Sequence, residues 1–359
     1  MNNSKNVENY IFGKGAIAEL PKLLEKKLES ETDFVVYFID EFFRDNMQIL
    51  DLKFRNSDEV YFVKTVDEPK TEDIDNFRDK ILELEKGLPK VIVGIGGGIA
   101  LDTGKAVSNL LTNGGKAEDY QGWDLVKVAG IYKIGIPTIS GTGAEASRTC
   151  VMTNSKNGLK LGMNSDFTIY NQLILDPNLT KTVPKEQYFY TGMDTYIHCV
   201  ESLNGNYRNA IGDAYSRQAI ELTREVFHSE DMMSEENREK LMVASYLGGC
   251  AIANSFVGVI HPFSAGLSVV LGTHHCVGNC IIMNGMEEFY PDEYLEFVEM
   301  AKKQGIEIPK GIAKDLIKET YEKLFHSTTI HEKPLKNALG ENFKEILTLQ
   351  KVEEVFKKM

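Results

Sequence analysis

The sequence predicts an α/β domain with a parallel sheet over residues 1–182, followed by an all-helical domain over residues 183–359. Three observations carry this. Short apolar runs alternate with helical segments in the first half. After Pro184, helical periodicity dominates to the C-terminus. Two histidine-bearing segments, both in the second half, are set among apolar residues.

In chain order, the apolar runs at 35–38, 61–63, 91–95 and 132–136 read as strands. The first leads into Ile39 and Asp40, and the fourth stops at Pro137. Residues 71–88 are acidic and place Ile74, Phe77, Ile81, Leu82 and Leu84 at helical spacing. Strands that alternate with helices favour a parallel sheet covered on both faces. Residues 159–170 read as short strands or a hairpin, and 174–177 as one more strand end. The junction falls at 182–185. Beyond it, helical periodicity marks 214–227, 238–256, 294–303, 312–324 and 343–356. The charged C-terminus, K-V-E-E-V-F-K-K-M, reads as a solvated helix face.

A length of 359 residues suits two domains. The net charge of −13 argues against nucleic acid and anionic membrane surfaces as partners. No run of about twenty apolar residues is present, so no transmembrane helix is expected. The N-terminal M-N-N-S-K-N-V-E-N-Y lacks the apolar core of a signal peptide, and a cytoplasmic location is expected. The five irregularly spaced cysteines are then expected to be reduced and buried.

Asp194 and His198 lie four residues apart in T-G-M-D-T-Y-I-H-C-V-E, with no proline between Thr191 and Arg208. On a helix they share one face, so a carboxylate oxygen and an imidazole nitrogen point into one small volume. Downstream, H-P-F-S-A-G-L-S-V-V-L-G-T-H-H opens on His261 and closes on His274 and His275. An isolated pair of this kind is ordinarily a surface hydrogen bond. Here Tyr196, Ile197, Cys199 and Val200 flank the first pair, and Val259, Ile260, Phe263 and Leu267 flank His261. Polar groups in apolar surroundings need partners. One metal shared by Asp194, His198, His261 and His275 would supply them. Imidazole ligands suit Fe2+ and Zn2+ about equally. A zinc cluster of His274, Cys276 and Cys280 is the lesser alternative, since no C-x-x-C is present.

Residues 91–105 read V-I-V-G-I-G-G-G-I-A-L-D-T-G-K. A strand runs into Gly96, Gly97 and Gly98 and then a helix, the layout of a pyrophosphate site. It fits neither the dinucleotide fingerprint nor the P-loop, because Ile99 stands where either would need glycine. Alone, it could equally be a tight structural turn. A second small-residue turn, I-P-T-I-S-G-T-G-A-E, offers the hydroxyls of Thr138, Ser140 and Thr142 after the next strand. Two such turns at carboxyl ends of parallel strands would face one crevice. Asp40, ending an earlier strand, could accept from a ribose diol and would repel a 2′-phosphate. Together these favour a dinucleotide, NAD over NADP.

These motifs resemble the iron-containing (group III) alcohol dehydrogenases over nearly the whole chain. The carriers are F-G-K-G-A at Phe12, G-G-G-x-x-x-D-x-x-K at Gly96, P-T-x-x-G-T-G-x-E at Pro137, L-D-P-x-L at Leu175, D-x-x-x-H at Asp194, and histidines fourteen apart at His261 and His275. The resemblance implies a nucleotide-binding α/β domain, a helical metal domain, a cleft between them and a homodimer. It implies Asp194, His198, His261 and His275 as metal ligands, with iron favoured over zinc. It places Asp40, Gly98, Asp102, Thr138, Thr142, Lys160 and Leu179 against NAD(P). Two positions depart from the family pattern. Ala265 stands where members that reduce small aldehydes usually carry a histidine, and Glu68-Pro69 replaces Asn-Pro.

The segments at 119–123, 140–150 and 192–202 are similar to one branch in particular, which oxidises the terminal primary alcohol of 3-deoxy-D-manno-octulosonate. The implied chemistry is alkoxide stabilisation by the metal and hydride transfer from the carbinol carbon to nicotinamide. His274 is then a candidate proton relay, or simply an exposed neighbour of His275. Arg148 is the candidate partner for the sugar acid's carboxylate, with Arg208 second; for each, a surface ion pair is the plain alternative. The rival readings are a dehydrogenase of short alcohols, aldehydes or diols, a dehydroquinate synthase-like lyase, and a non-catalytic metal-binding protein.

Overall fold

The computed structural model describes residues 4–65 and 68–359. The chain falls into two compact units, Met1–Thr182 and Val183–Met359.

The first unit is built on a parallel sheet. Its strands are Asn9–Phe12 (β1), Val35–Asp40 (β2), Glu59–Val63 (β3), Val91–Gly96 (β4), Tyr132–Pro137 (β6) and Gln172–Leu175 (β9), in the order β1-β9-β6-β4-β2-β3. All of these pairings are parallel. A small second sheet joins Gly122–Trp123 (β5), Thr149–Asn154 (β7) and Leu159–Asn164 (β8), with β7 and β8 antiparallel. Thus the mixed stretch at 159–170 supplies one arm of a hairpin and then a short turn at Asp166–Thr168, while the other arm is β7. The helices are Leu20–Glu25 (α1), Thr71–Glu83 (α2) and Gly98–Asn113 (α3).

Successive strand residues point to opposite faces, and the two faces have separate cores. Val36, Phe38 and Ile92 pack with Ile74 and Ile81 of α2 and Val107 and Leu110 of α3. Val35, Tyr37, Ile39, Val93 and Ile95 pack on the other side with Leu20, Leu24 and Phe43. Burial on both faces explains why the central strands read as continuous apolar runs. From β2 the chain moves outward to β3, then returns to the other side of β2 to form β4. The loops after β2 and β4 therefore diverge, which opens a crevice at their carboxyl ends. Asp40 and the three glycines stand there.

The second unit is all helical among the described residues. Its helices are Lys185–Asn204 (α4), Ala210–His228 (α5), Glu235–Ser255 (α6), Ile260–Leu271 (α7), His275–Met283 (α8), Pro291–Gln304 (α9), Lys318–Thr329 (α10), Glu332–Leu339 (α11), Phe343–Ile346 (α12) and Leu349–Lys357 (α13). Helix α4 is central: every residue from Tyr188 to Ser202 is buried. No single helix is long and apolar enough to cross a membrane, among the described residues.

Two helical readings need correction. The expected helix at 312–324 begins only at Lys318. Gly311 takes a positive φ of 77°, the Ala313 N–H donates to the Met359 carbonyl, and the Tyr321 hydroxyl donates to the carbonyls of Ala313 and Lys314. These bonds satisfy the segment without helix. The expected helix at 343–356 is broken at Leu347, because Thr348 caps a new start by accepting from the Lys351 N–H. The C-terminal helix is also only half solvated: Val352, Val355, Phe356 and Met359 are core residues.

The link from α6 to α7 delivers His261 and is held by one side chain. Phe256 sits there at φ +65°, costly for a non-glycine residue. Buried Asn337 donates to the carbonyls of Ser255 and Val257 at 3.0 Å, and its Oδ1 accepts from the Tyr207 N–H at 2.8 Å. Asn337→Ala strands these groups, each worth about 1–3 kcal/mol when buried. We expect it to destabilise the protein by at least about 2 kcal/mol, read as a lower midpoint in urea unfolding.

Candidate metal centre and nucleotide cradle

The helical unit gathers an unusual set of polar groups. Asp194, His198 and Glu201 lie at i, i+4 and i+7 on α4, one above another on a single helical face. His261 is the second residue of α7, and His275 the first of α8. Asp194 has no solvent exposure. Its Oδ1 lies 3.6 Å from His198 Nε2 and 3.3 Å from His261 Nε2, and its Oδ2 lies 3.7 Å from His275 Nε2. The rings of His198 and His261 stack with centroids 4.5 Å apart.

These spacings can be tested against a metal. Ligand atoms about 2.1 Å from a tetrahedral ion lie about 3.4 Å from one another. The observed carboxylate–imidazole separations of 3.3–3.7 Å match. Asp194, His261 and His275 offer ligand atoms within 4.8 Å of one another, so these three could hold an ion. His198 is not one of that mutually close set, but it touches Asp194 and stacks on His261 beside it. The donor set, one carboxylate and three imidazoles, suits a divalent transition metal.

The electrostatics agree. Burial alone would raise the Asp194 carboxyl, but His198, His275 and His261 outweigh it and hold the group well below the usual carboxylate range. Burial pushes His198 down to about 4 against the pull of Asp194, so its imidazole is neutral at pH 7. Burial would also lower His261, but Glu201 and Asp194 prevail and raise it to about 9. A cation at His261 Nε2 must therefore displace a proton.

Sequence reasoning missed two members of this cluster. Glu201 pairs with His261 Nδ1 and accepts from the backbone N–H groups of Ile260 and His261. Asn279 donates from Nδ2 to Asp194 Oδ1 at 2.6 Å and lies 3.3 Å from both His261 Nε2 and His275 Nε2. Each had a signal: Glu201 stands seven residues after Asp194, and Asn279 four after His275. His274 is exposed and stands immediately before α8, without a side-chain capping bond. Among the described residues no zinc cluster joins the cysteines to it: all five are buried and outside any disulfide, and the Cys276 and Cys280 thiols point to Asp194 Oδ2 and the Tyr190 carbonyl.

In the α/β unit, β4 ends at Gly96 and α3 begins at Gly98. Gly96 has φ +150°, and a Cβ there would lie 2.9 Å from Asp40 Cβ. The turn after β6 closes on the same place. The Thr138 N–H donates to the Gly96 carbonyl at 3.0 Å, and a Cβ on Gly98 would meet Thr142 Oγ1 at 3.3 Å. Ser140 Oγ is buried without a hydrogen-bond partner. Two glycine-rich turns thus meet at the start of a sixteen-residue helix, as an anion cradle requires. Asp40 accepts from the Phe42 N–H and from Thr65 Oγ1, and burial raises its carboxyl.

The remaining candidates have internal partners. Asp102 accepts from the Val151 N–H at 2.9 Å and from Lys105, while Lys105 Nζ donates to the Thr149 carbonyl at 2.7 Å. This buried pair ties α3 to β7, and desolvation raises Asp102 to about 6. Lys160 pairs with Glu68 at 2.8 Å, and Leu179 is a core residue. Arg148 is clamped by Asp124 and Asp166, and Arg208 pairs with Asp213. Both arginines therefore show the ion pairs left open as their plain alternative.

The iron-containing alcohol dehydrogenase family pattern matches residues 8–177, and the C-terminal pattern of the Fe-containing alcohol dehydrogenase family matches residues 188–338. The chain belongs to the iron-containing alcohol dehydrogenase family. This family uses a divalent metal, iron, and a nicotinamide dinucleotide. Sulfoacetaldehyde reductase of Bilophila wadsworthia is 38 % identical over 183 residues, 50 % of this chain and 47 % of that protein. NAD-dependent methanol dehydrogenase of Bacillus methanolicus is 32 % identical over 197 residues, 54 % and 51 %. The chain thus spans about half the length of the curated relatives it matches. Among solved structures, a 1,3-propanediol oxidoreductase superposes with a TM-score of 0.82 at 19 % identity over 99 % of both chains. Sulfoacetaldehyde reductase from Bifidobacterium kashiwanohense in complex with NAD+ gives 0.80 at 22 %, over 99 % of this chain and 98 % of that one. These likenesses carry the fold.

Asp194→Ala should weaken Co2+ or Zn2+ binding by more than the roughly 10–100-fold that an orienting partner is worth. Metal at about 100 times Kd should stabilise the parent protein by about 2.7 kcal/mol, and the variant's melting temperature should not respond to the same concentration.

Proposed function

We propose that the chain is a metal-dependent dehydrogenase that interconverts a primary alcohol and its aldehyde with NAD. The observation that carries this is the convergence of one buried carboxylate and three imidazoles, from three helices, at ligand spacing. Asp194, His198, His261 and His275 hold the metal in this reading, with Fe2+ favoured by the family and Zn2+ compatible with the ligands. A divalent ion held there would supply Lewis-acid stabilisation of negative charge on an alcohol oxygen, and a bound nicotinamide would supply the hydride-accepting chemistry. The protein's residues set the conditions. Asp194 contributes one negative charge, and His198 is neutral with a lone pair to give. Gly96, Gly97, Gly98, Thr138 and Thr142 cradle the pyrophosphate at the start of α3, and Asp40 binds the ribose diol and disfavours a 2′-phosphate. His274, next to His275, is the proton relay. Full turnover of His274→Gln across pH would dismiss that role. The enzyme works as a homodimer on small molecules.

The substrate is a short aldehyde or alcohol that carries an acid group. Similarity to a sulfoacetaldehyde reductase over half the chain supports this. A second reading, oxidation of the C8 hydroxyl of 3-deoxy-D-manno-octulosonate, is favoured by the segments at 119–123, 140–150 and 192–202. The engagement of Arg148 by two aspartates weighs against it, because the intended carboxylate partner is occupied.

The deciding experiment is anaerobic turnover of the Fe2+-loaded protein with sulfoacetaldehyde, 3-deoxy-D-manno-octulosonate, 1,3-propanediol and butanol, following NADH and trapped aldehyde. We expect NADH-linked activity on the first compound, and its loss on chelation of the metal. Activity on propanediol or butanol alone would overturn the acid-bearing substrate. Aldehyde formed from the sugar acid would install the second reading. Turnover unaffected by metal removal would sink the metal mechanism.

A further inference from the structure

The Asp194 helix carries a third ionisable group, Glu201, that reaches the cluster through the far nitrogen of His261. Glu201 has no solvent exposure, and its carboxylate makes three contacts. Oε1 accepts from the Ile260 N–H and from the His261 N–H at 3.3 Å; Oε2 meets His261 Nδ1. The two backbone donors belong to the first turn of α7, where helical N–H groups have no intrahelical acceptor. A negative charge there also complements the helix dipole. One side chain therefore fixes both the start of α7 and the ring of its second residue.

We infer that Glu201 is a positioning residue of the metal centre, which sets His261 in the tautomer that offers Nε2 to the ion. A carboxylate only accepts, so the proton of His261 is held at Nδ1. Once a cation displaces the other ring proton, Nε2, 3.3 Å from Asp194 Oδ1, is the nitrogen whose lone pair it takes. Metal-binding histidines depend on such outer carboxylates for orientation and basicity. The spacing adds a mechanical link. Asp194, His198 and Glu201 are on one helix, so the ion's first two ligands and the group that aims the third are rigidly connected. This inference rests on the metal reading above.

Glu201→Gln separates orientation from packing. The amide oxygen can keep both backbone N–H bonds, while the NH2 group takes the place of Oε2 and donates to His261 Nδ1. The ring proton is then forced to Nε2, which blocks the ligand. Co2+ titrations of the full chain, with chelator competition, should show a 10–100-fold loss of affinity and an altered visible spectrum, with little change in the melting temperature of the metal-free protein. In a His261→Ala background, the same substitution should change Co2+ affinity by less than about twofold, because its effect runs through that ring. If Glu201→Gln does not fold, Glu201→Asp replaces it, keeping the charge but withdrawing it by one methylene; the same loss is expected. Unchanged Co2+ affinity and spectrum in the variant that folds would overturn the role of Glu201. Failure of the unmodified protein to bind Co2+ would instead overturn the metal reading itself.

Discussion

A carboxylate removed from water loses several kcal/mol of hydration unless positive charge or hydrogen-bond donors replace it. Asp194 is such a group, at zero exposure in the middle of a helix buried from Tyr188 to Ser202. Three imidazoles and the Asn279 amide provide the replacement, and they arrive from three helices. This requirement organises the helical unit. It fixes where α7 and α8 must start, because His261 and His275 stand in their first turns. It also explains why polar devices hold the connection before α7: Asn337 ties down the Phe256 turn, and Glu201 receives the first N–H groups of the helix. Precision at one carboxylate is thus bought with hydrogen bonds elsewhere in the fold.

The α/β unit is ruled by a different constraint, the topology of a parallel sheet. The chain reverses its direction of growth between β3 and β4, and the loops at the carboxyl ends of β2 and β4 part company there. Glycine is demanded because Asp40 and Ala100 crowd Gly96, and Thr142 crowds Gly98. The Asp102–Lys105 pair has a quieter task. It anchors β7 to α3, so the G-G-G-x-x-x-D-x-x-K motif combines a glycine turn with a buried tie between elements.

Much of the fold was legible because its signals are local. Residues 35–39 and 91–95 carry no charge and are buried throughout, as a strand covered on both faces requires. The D-x-x-x-H spacing on a proline-free stretch placed Asp194 and His198 on one helical face. One misread segment fails for the opposite reason. Residues 312–317 have helical composition, yet the nearby Tyr321 hydroxyl and the Met359 carbonyl, which is distant in sequence, satisfy their backbone in another form. The break at Thr348 was a local signal, a threonine cap within a periodic run, and was overlooked.

The sequence by itself determined the strand and helix periods, the glycine turns and the type of ligand chemistry, because each is written in the spacing of neighbouring residues. Tertiary structure alone decided which groups meet. Glu201 and His261 are 60 positions apart, and Asn279 and Asp194 are 85 apart. Nothing in local periodicity encodes such a meeting, which depends on how the apolar faces of α4, α7 and α8 pack. The same holds for Arg148: its charge was visible in the chain, but only the folded unit shows that Asp124 and Asp166 neutralise it.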